Sequence, residues 1–417
     1  MGSLKRDNLR ILLLALDKYP PFRVDLTVLF GKELLRRGHT IDWLLQSDAD
    51  AKAAYETRWS ECRVWVGPTD NGTSRWQRAR KNLLDIAHDL RMFPLLRKHR
   101  YDFIVVRDKF LAAMLALIAA RLHGTRCVFW LSYPFPENYI FQVKEGSARY
   151  PLIYWLRGNF LKFLCYRVVM PFVAHSFVQT ERMLHNIEKH GIPADRMTPV
   201  PMAVAVDEVP FFGHGLVQKT GREKKISYLG TLVRTRHLDF LVRVLARVLE
   251  GEPDAVLYLV GGGEDAKDEE ILRAEASRLG IADRVIITGF LPQKGAWQHI
   301  RDAHVCVSPI YPTPTLECGS PTKLLEYMAM GKAVVANDHP EQQSVLADSG
   351  GGICVPYNEE AFAQAILRIF NRPSEASEMG RKGREYVEKK RNYRQAADLV
   401  EKKLHDLLEE VARKDRH

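Results

Sequence analysis

Short apolar runs that end in glycine, proline or charged residues recur through the second half of the chain, and amphipathic segments separate them. Runs of this length are typical of buried strands, and their alternation with helical patterns predicts a parallel sheet covered by helices. The carboxyl ends of the strands in such a sheet meet at one edge, where ligands bind. The predicted strands are residues 228–230, 256–264, 285–292, 304–309 and 333–336.

The first half of the chain shows the same alternation. An amphipathic segment over 26–37 ends at Gly38, and we expect a helix there. We therefore predict two α/β domains, residues 1–208 and 209–390, with an interdomain linker over 210–225 that contains Gly, His and Lys. The predicted strands of the first domain are residues 9–16, 40–45, 103–107, 127–131, 176–180 and 197–206.

The segment from Ser320 to Ala336, SPTKLLEYMAMGKAVVA, joins a polar loop, a short helix and an apolar strand. Ser320 and Pro321 favour entry into a helix, and Lys323 and Glu326 lie on one helical face near its first turn. The loop amides and the positive end of the helix point the same way as Lys323, so the unit can hold an anionic group such as phosphate. The alternative is an ordinary crossover with an exposed Lys and Glu.

Composition is typical of a globular protein, whereas the positive charge is concentrated in the first half of the chain. The chain has 417 residues, too many for one ordinary core, and 46% of them are apolar, as expected of a globular protein. Lys and Arg number 61 against 51 Asp and Glu, and the first 200 residues hold 31 of the basic against 19 of the acidic residues. The six cysteines contain no C-x-x-C pair, which argues against a zinc site and a disulfide framework.

Residues 75–100 and 151–178 combine aromatic and aliphatic side chains with much of the basic charge. Apolar anchors mixed with Arg and Lys are typical of a helix in a bilayer interface, where anionic lipid adds about 1 kcal/mol per nearby basic residue. A core helix whose basic side chains extend to water has the same composition. No nucleic-acid motif accompanies the charge, so nucleic acid is not an expected partner. Residues 9–16 are too short for a secretory signal, and the longest apolar run, 111–120, predicts a buried helix rather than a membrane span.

Five motifs over about 225–390 together resemble the nucleotide-binding half of family 4 retaining glycosyltransferases, which have the GT-B fold. The resemblance implies an α/β architecture of two Rossmann-like domains facing across a cleft, with a last helix, about 391–417, that crosses back to the first domain. The motifs are G-T-L with its Arg loop at 230–236, V-G-G-G-E at 260–264, V-x-x-x-G-F at 285–290, V-x-x-S-P at 305–309, and E-x-M-A-x-G-K-x-V-V at 326–335.

The resemblance also implies an activity. Such an enzyme transfers a sugar from a nucleotide sugar, here expected to be UDP- or GDP-linked, with retention of configuration and without a cofactor. Family acceptors are often lipid-linked, so we expect a lipid-linked or polysaccharide acceptor and a peripheral location at the cytoplasmic face of the cell membrane. A metal or fixed cations must neutralise the charge that develops on the leaving diphosphate.

Fixed cations are the better candidates, because no metal-ligand cluster is evident in the sequence. Arg236 stands where the family's loop usually carries a phosphate-binding lysine, Lys323 supplies a second cation, and Arg234 is a substitute if the register differs by two. Glu326 matches the second glutamate of the family's E-x7-E motif, which accepts hydrogen bonds from ribose. The other donor-side candidates are Gly230, Thr231, Gly262, Gly263, Gly289, Phe290, Leu291, Gly319, Ser320, Pro321 and Thr322.

The chain departs from the family pattern in two places. Strict spacing puts Cys318 where the first motif glutamate belongs, whereas Glu317 lies one residue earlier, so either Glu317 or the loop amides near Gly319 would contact the donor sugar. The histidine that often follows a central strand of the first domain is missing. The polar residues left on that acceptor side are Asp17, Tyr19, Ser132, Tyr133 and Glu137.

Three alternatives remain open. The Asp48–Asp50 segment, DAD, resembles the D-x-D of metal-dependent transferases but falls in the wrong domain. A GT-B enzyme of another type, such as a nucleotide-sugar epimerase or a transferase to a small soluble acceptor, fits the same donor motifs. A non-catalytic scaffold fits the missing histidine and the displaced glutamate.

Overall fold

The computed structural model describes residues 8–49, 51–72, 74–213 and 222–414. The chain divides into two compact units: unit 1 is Met1–Pro201 with Tyr393–His417, and unit 2 is Met202–Asn392. The first boundary therefore follows Pro201 rather than residue 208. The physical reason is that Val204 joins unit 2, where its N–H donates to the Arg391 carbonyl at 2.9 Å. Residues 214–221 of the predicted linker lie outside the described residues.

Unit 1 is built on an eight-stranded sheet. Its strands are β1 (Arg10–Tyr19), β2 (Thr40–Ser47), β3 (Tyr55–Trp59), β4 (Cys62–Gly67), β5 (Phe103–Arg107), β6 (Arg126–Leu131), β7 (His175–Val178) and β8 (Met197–Pro199). The strand order is β3-β4-β2-β1-β5-β6-β7-β8, and only β3 and β4 pair antiparallel. β5 is buried at every residue, as expected of a central parallel strand with helices on both faces.

The helices of unit 1 include two π-helical stretches, Asp25–Glu33 and Leu164–Val169. A capping box formed by Ser74 and Gln77 starts α2. The α-helices of Met1–Pro201 are α1 (Leu34–Arg36), α2 (Arg75–Asp89), α3 (Met92–Lys98), α4 (Phe110–His123), α5 (Phe135–Lys144), α6 (Pro151–Phe163) and α7 (Glu181–Glu188).

In unit 1 one strand pair was missed by the prediction, and one expectation was wrong. The hairpin of β3 and β4 was not predicted, because β3 is an edge strand with no buried residue and therefore lacks an apolar alternation. The run 111–120 does form a helix, α4, but that helix is not buried all round. Its alanines pack inward, whereas Leu111 and Ile118 are exposed.

Unit 2 contains a six-stranded, fully parallel sheet. Its strands are β9 (Lys224–Leu229), β10 (Ala255–Val260), β11 (Val285–Ile287), β12 (Val305–Ser308), β13 (Val334–Asn337) and β14 (Gly352–Val355). The order is β11-β10-β9-β12-β13-β14. β11 is shorter than the predicted 285–292, since Gly289 has a φ of 69° that no extended strand adopts. β14 was not predicted, because all four of its residues are only half-buried.

Helices cover both faces of this sheet, and their apolar sides form two clusters of buried residues. This doubly wound arrangement brings the carboxyl ends of β9, β10, β12 and β13 to one edge. The helices are α8 (Asp239–Gly251), α9 (Ala266–Arg278), α10 (Gln293–Asp302), α11 (Thr322–Ala329), α12 (Pro340–Ser349), α13 (Glu359–Asn371) and α14 (Pro373–Lys390).

The last helix, α15 (Tyr393–Lys414), belongs to unit 1, as the resemblance implies. Val400 and Leu404 are buried there. Arg37 pairs with Glu401 at 2.6 Å and with Asp398 at 2.7 Å. Among the described residues, no helix combines the length and the apolar character that crossing a membrane requires.

Candidate functional site

The first two strand ends of unit 2 approach each other more closely than side chains would allow. The Gly230 N–H donates to the Val260 carbonyl, and the Leu232 N–H to the Gly262 carbonyl, both at 2.9 Å. A Cβ on Gly261 would lie 2.0 Å from the Gly230 oxygen, so the contact requires glycine there. The edge of the sheet is thus lined by backbone rather than by side chains.

Two cations converge on one buried hydroxyl beside this edge. Tyr228, in β9, accepts a hydrogen bond from Lys323 Nζ at 3.0 Å and another from Arg236 Nη1 at 3.1 Å. Burial alone would raise the pKa of the Tyr228 hydroxyl, but the charges of Lys323 and Arg236 outweigh it and lower that pKa. The pKa of Lys323 is lowered, by burial first and by the nearby Arg236 charge. Two positive charges in one half-buried place favour an anionic ligand.

Gly230 makes room for one of these cations. A Cβ at this position would lie 2.4 Å from Lys323 Cε and 2.9 Å from its Nζ. The glycine of the G-T-L motif is therefore required for the position of the lysine as well as for its own backbone, whose φ is 151°.

Helix α11 is fixed against the end of β9 by Tyr327, a residue that no sequence motif singles out. The Tyr327 hydroxyl accepts a hydrogen bond from the Leu229 N–H at 2.7 Å. The motif lysine Lys332 turns inward and donates to the Ala303 carbonyl at 3.1 Å, so it is a structural residue. Pro321 precedes the helix and no side chain caps its first amides, which leaves the positive end of α11 next to Lys323.

Glu326 lies one turn after Lys323 on the same helix and is half-buried. Burial raises the pKa of its carboxyl group, and the Lys323 charge partly offsets that effect. A carboxylate in this position can accept hydrogen bonds from hydroxyl groups of a ligand.

The loop before α11 distinguishes the two candidates for the first motif glutamate. Cys318 is 2% exposed, and its thiol points to the Pro314 carbonyl at 3.5 Å. Glu317 is half-buried, and the His339 Nε2 contact to the Leu316 carbonyl at 2.9 Å holds its turn. Of the two side chains, only that of Glu317 is accessible to a ligand.

Ser320 and Gly319 complete this loop. The Ser320 hydroxyl accepts a hydrogen bond from the Met202 N–H at 3.0 Å and lies 3.4 Å from a Glu341 oxygen. Its side chain therefore anchors the loop, while Gly319, Pro321 and Thr322, all half-buried, present backbone.

The glycine-rich turn after β10 lies against the turn after β11. A Cβ on Gly262 would lie 2.8 Å from the Phe290 ring, so the ring covers this glycine. Phe290 is nevertheless 68% exposed, and Leu291 is 38% exposed. Gly289 forms a bridge with Gly261, which ties the two turns together. An exposed aromatic ring over bare backbone can stack on a planar ligand.

The two arginines of the loop after β9 have different partners. Arg234 pairs with Asp268 through Nε at 3.4 Å, and its backbone N–H donates to the same carboxylate at 3.1 Å. Asp268 also accepts from the Glu264 N–H at 3.0 Å, which connects the loop to the glycine-rich turn. Arg236, not Arg234, therefore reaches the Lys323 cluster, and Thr231 lies half-buried at the start of the loop.

In unit 1 a second polar cluster forms at the carboxyl ends of β1, β5 and β6. The Arg107 guanidinium binds Asp17 and Asp25, each at 2.6 Å, and lies 3.6 Å from Asp108. Ser132 donates to Asp108 through its N–H at 2.8 Å and its hydroxyl at 2.5 Å. Asp17, Arg107 and Asp108 line a cavity of about 230 Å³.

The predicted acceptor-side residues thus divide into two groups. Asp17 and Ser132 belong to the cluster around Arg107. The Tyr133 hydroxyl donates to Asn138 at 3.1 Å, Glu137 lies 3.7 Å from His190, and Tyr19 pairs with Ser47 in the sheet, so these three lie apart from it.

Sequence reasoning missed Arg107 and Asp108, although two opposite charges at the end of a buried strand are a usable signal. Asp108 has a φ of 59°, which turns the chain sharply at the strand end. Burial raises the pKa of its carboxyl group, against the opposing effect of Arg107.

Two groups of residues contain side chains of the types that bind metal ions. Asp48 of the DAD segment pairs with Lys18 at 3.2 Å, and Asp50 lies outside the described residues. Within the described part of the chain, His39, Glu401 and His405 also come together. His39 Nδ1 accepts from the Leu9 N–H at 3.1 Å, so its Nε2 carries the hydrogen that points to Glu401 at 3.0 Å. That nitrogen has no lone pair for a metal ion.

Two family models match the chain. A glycosyl transferase 4-like domain matches residues 28–203, and a domain described as glycosyl transferases group 1 matches residues 223–372. Together they cover most of both units.

Several curated proteins are similar to part of the chain. A GDP-mannose-dependent alpha-(1-6)-phosphatidylinositol monomannoside mannosyltransferase of Mycolicibacterium smegmatis is 28% identical over 205 residues, 47% of this chain and 50% of that protein. The amylovoran biosynthesis glycosyltransferase AmsK of Erwinia amylovora is 22% identical over 54% of this chain and 57% of that protein. The chain thus spans about half the length of the curated relatives it matches.

Solved structures match over almost the whole chain at low identity, which shows the fold. Sucrose-phosphate synthase of Thermosynechococcus elongatus has a TM-score of 0.72 at 18% identity, covering 96% of this chain and 99% of that one. Anabaena HepE in complex with UDP has a TM-score of 0.69 at 14% identity, covering 95% and 100%.

Proposed function

Because this chain is a glycosyltransferase-type protein of the GT-B fold, we propose that it is an active, retaining, metal-independent glycosyltransferase of family 4. The observation that carries the proposal is the convergence of Arg236 and Lys323 on the Tyr228 hydroxyl, at 3.1 and 3.0 Å, beside the start of α11. Fixed cations and helix amides in this arrangement are suited to the diphosphate of a nucleotide sugar.

Each donor-side residue has a role in this proposal. Arg236 and Lys323 bind the diphosphate and stabilise the negative charge that develops as it leaves. Glu326 accepts hydrogen bonds from the ribose hydroxyls, and Phe290 packs against the base. Glu317, the accessible acidic residue of the preceding loop, contacts the transferred sugar.

The similar proteins suggest two candidates for the nucleotide of the donor, UDP and GDP. The mycobacterial relative is named as GDP-mannose-dependent, and HepE was solved with UDP. On the basis of these two similarities we propose a UDP- or GDP-linked sugar. In unit 2 the base would meet mainly backbone and the Phe290 ring.

The acceptor is proposed to be lipid-linked, and unit 1 to bind the membrane surface, because α6 exposes an apolar face. Leu152, Ile153, Trp155, Leu156 and Phe160 are all at least half exposed. This is a large patch for a water-facing helix, and the basic side chains of 151–163 lie among it.

The proposed membrane surface is narrower than the two predicted segments. In 151–178, the second part forms the π-helix Leu164–Val169 and strand β7, which are mostly buried. In 75–100, α3 buries Met92, Leu95 and Leu96, so only α2, with Trp76 at 86% exposure, remains a candidate. These core portions are apolar because they pack inside unit 1.

Turnover of nucleotide sugars tests the proposed activity. The protein is incubated with UDP- and GDP-sugars and lipid extracts, and release of the nucleoside diphosphate is measured. Arg236→Ala and Lys323→Ala should each lower turnover at least 100-fold, given about 3 kcal/mol for a lost charged contact to the transition state. Arg247→Ala, which removes an exposed cation of α8 that pairs with Glu250, is the matched control.

The result also separates the alternatives. The lipid acceptor would be rejected if the protein binds a nucleoside diphosphate but transfers the sugar to a small soluble sugar and to no lipid. Absence of binding to every nucleotide by the folded protein would reject the transferase in favour of a scaffold.

A vesicle flotation assay tests the membrane surface. Wild-type protein should float with vesicles that contain anionic lipid, and Trp155→Ser with Leu156→Ser should reduce the bound fraction at least tenfold, because two large exposed apolar anchors are lost. Equal flotation of wild type and variant would reject α6 as the contact surface.

A further inference from the structure

Unit 1 contains a second cavity that joins the polar one. It has a volume of about 450 Å³ and lies between helices α2, α4, α5 and α6. Leu16, Asp108 and Phe135 line both this cavity and the 230 Å³ cavity beside Asp17. The two cavities therefore meet at the carboxyl ends of β1 and β5. Their volumes fall in or near the range of about 300–1,000 Å³ that is usual for small-molecule sites.

The walls of the larger cavity are mainly apolar. Leu111 and Ala112 of α4 form one side, and Phe160 and Leu161 of α6 another. Phe160 also belongs to the exposed face of α6, so the cavity opens next to the surface proposed to lie on a membrane. An apolar molecule leaving the bilayer at α6 would enter the cavity without crossing water.

The charged groups of the same cavity are of two kinds. Lys109 is held by Asp85 and Asp89 at 2.7 and 2.6 Å, so its charge is compensated. The Arg157 guanidinium instead lies 4.6 Å from the centre of the Tyr139 ring and has no carboxylate partner among the described residues. A stacked arginine with its donors free is well suited to a phosphate group.

We propose that the two cavities bind one amphipathic acceptor. The larger cavity takes the hydrocarbon chain, Arg157 binds the phosphate next to the chain, and the smaller cavity holds the hydroxyl-bearing head group against Asp17 and Asp108. Carboxylates in a strand-end cavity are ordinary acceptors for sugar hydroxyls. This assignment rests on the proposed lipid-linked acceptor, and it adds where that lipid binds and which residues select it.

The structure favours a chain in this cavity over mere attachment of α6 to lipid. Attachment needs only the outward residues, such as Trp155, whereas Ala112 is 2% exposed and lines the cavity wall. Binding along the apolar wall of this open cavity should therefore depend on the length of the ligand's chain and on the volume of the cavity. Attachment of α6 to the bilayer surface should depend on neither.

The test uses alkyl phosphates of six, eight, ten and twelve carbons, each below its micelle concentration, with the full-length protein. Affinity measured by calorimetry should rise about threefold to fourfold per added methylene until the cavity is full. Leu111→Trp, which fills the cavity from α4, should weaken the ten-carbon ligand at least tenfold. Leu122→Trp on the same helix, an exposed leucine outside the cavity lining, should leave the affinity unchanged.

A second variant tests the phosphate contact. Arg157→Gln should weaken alkyl phosphates at least fivefold but leave the matching alkyl alcohols unaffected. Affinity that does not depend on chain length, or equal effects of Leu111→Trp and Leu122→Trp, would overturn the proposal. So would loss of vesicle flotation in Leu111→Trp with alkyl phosphate binding intact, since that result assigns the site to bilayer lipid.

The experiments distinguish a failure of the acceptor cavity from a failure of the proposed transferase function. Nucleoside diphosphate binding depends on unit 2 and should be the same in Leu111→Trp and the wild type. If that binding is present and alkyl phosphates do not bind, the acceptor cavity is wrong while the donor assignment remains. If nucleotides do not bind the wild type, the proposed function itself is wrong.

Discussion

Gly230 and Lys323 allow the diphosphate site to be perturbed through a single contact. An alanine at 230 would place its Cβ 2.4 Å from Lys323 Cε, so the lysine side chain must move. The other near neighbour of that Cβ is the Tyr228 hydroxyl at 3.5 Å, which is an ordinary contact. The methyl group therefore acts on the site through the flexible end of one lysine, which can shift without unfolding the protein.

The magnitude follows from the charge-assisted hydrogen bond that a displaced lysine no longer makes to phosphate. Such a bond contributes about 1.5–3 kcal/mol, which corresponds to roughly 10-fold to 150-fold in the dissociation constant. Gly230→Ala and Lys323→Ala should each weaken nucleoside diphosphate binding by this amount. The positive φ of 151° at Gly230 adds a stability cost of about 1–3 kcal/mol, which urea unfolding measures separately.

The double variant decides whether the reasoning is correct. With Lys323 already removed, the added methyl group has nothing to displace, so Gly230→Ala in the Lys323→Ala background should change the affinity less than twofold. Calorimetric titration of the four proteins with UDP and GDP gives the coupling between the two positions. Additive losses would show that Gly230 acts through another contact, and full affinity in Lys323→Ala would refute the cation site.

Three further predictions concern stability and its pH dependence. Burial lowers the pKa of His88 to about 4, below the value of about 6.5 in the unfolded chain. Since the unfolded state takes up the proton first, the free energy of unfolding should fall by about 2 kcal/mol from pH 7 to pH 5. Urea unfolding measured at several pH values should show that this dependence on pH is weaker in His88→Gln. A pH dependence of the unfolding free energy that is the same in His88→Gln and the wild type would exclude His88 as its source. Tyr327→Phe leaves the Leu229 N–H without its acceptor and should destabilise the protein by about 1–3 kcal/mol in the same assay, whereas an unchanged value would mean that the hydroxyl does not fix α11. Gly158→Ala puts a Cβ 2.8 Å from Ile140 in the α5 and α6 contact and should cost about 1–3 kcal/mol; no loss would show that the two helices can separate freely.

Much of unit 2 could be predicted because its strands are short apolar runs that end in glycine or proline. Two of the three residues predicted at 228–230 lie in β9, which already begins at Lys224, and three of the four predicted at 333–336 lie in β13. Lys323 and Glu326 could be placed on one helical face, since helix periodicity is local. The partner of Lys323 could not, because Tyr228 is 95 residues away and only the fold brings the two together.

Unit 1 was harder to predict for two physical reasons. Apolar character alone did not separate the exposed face of α6 from the buried π-helix that follows it, because both read as aromatic and aliphatic runs with scattered basic residues. The polar cluster depends on Arg107, a charged residue in the core, and a buried charge is visible in a sequence only once its partners are known. Asp17 and Asp25 precede it by more than 80 residues.

The most direct test of the account compares diphosphate with monophosphate binding. Calorimetric titration with UDP and UMP, and with GDP and GMP, is carried out on the wild type and on the Arg236→Ala, Lys323→Ala double variant. If the two cations bind the terminal phosphate, the wild type should prefer one diphosphate over its monophosphate by about 10-fold to 100-fold, and the double variant should show little preference. The same preference in both proteins would contradict the assignment of Arg236 and Lys323 as the diphosphate site.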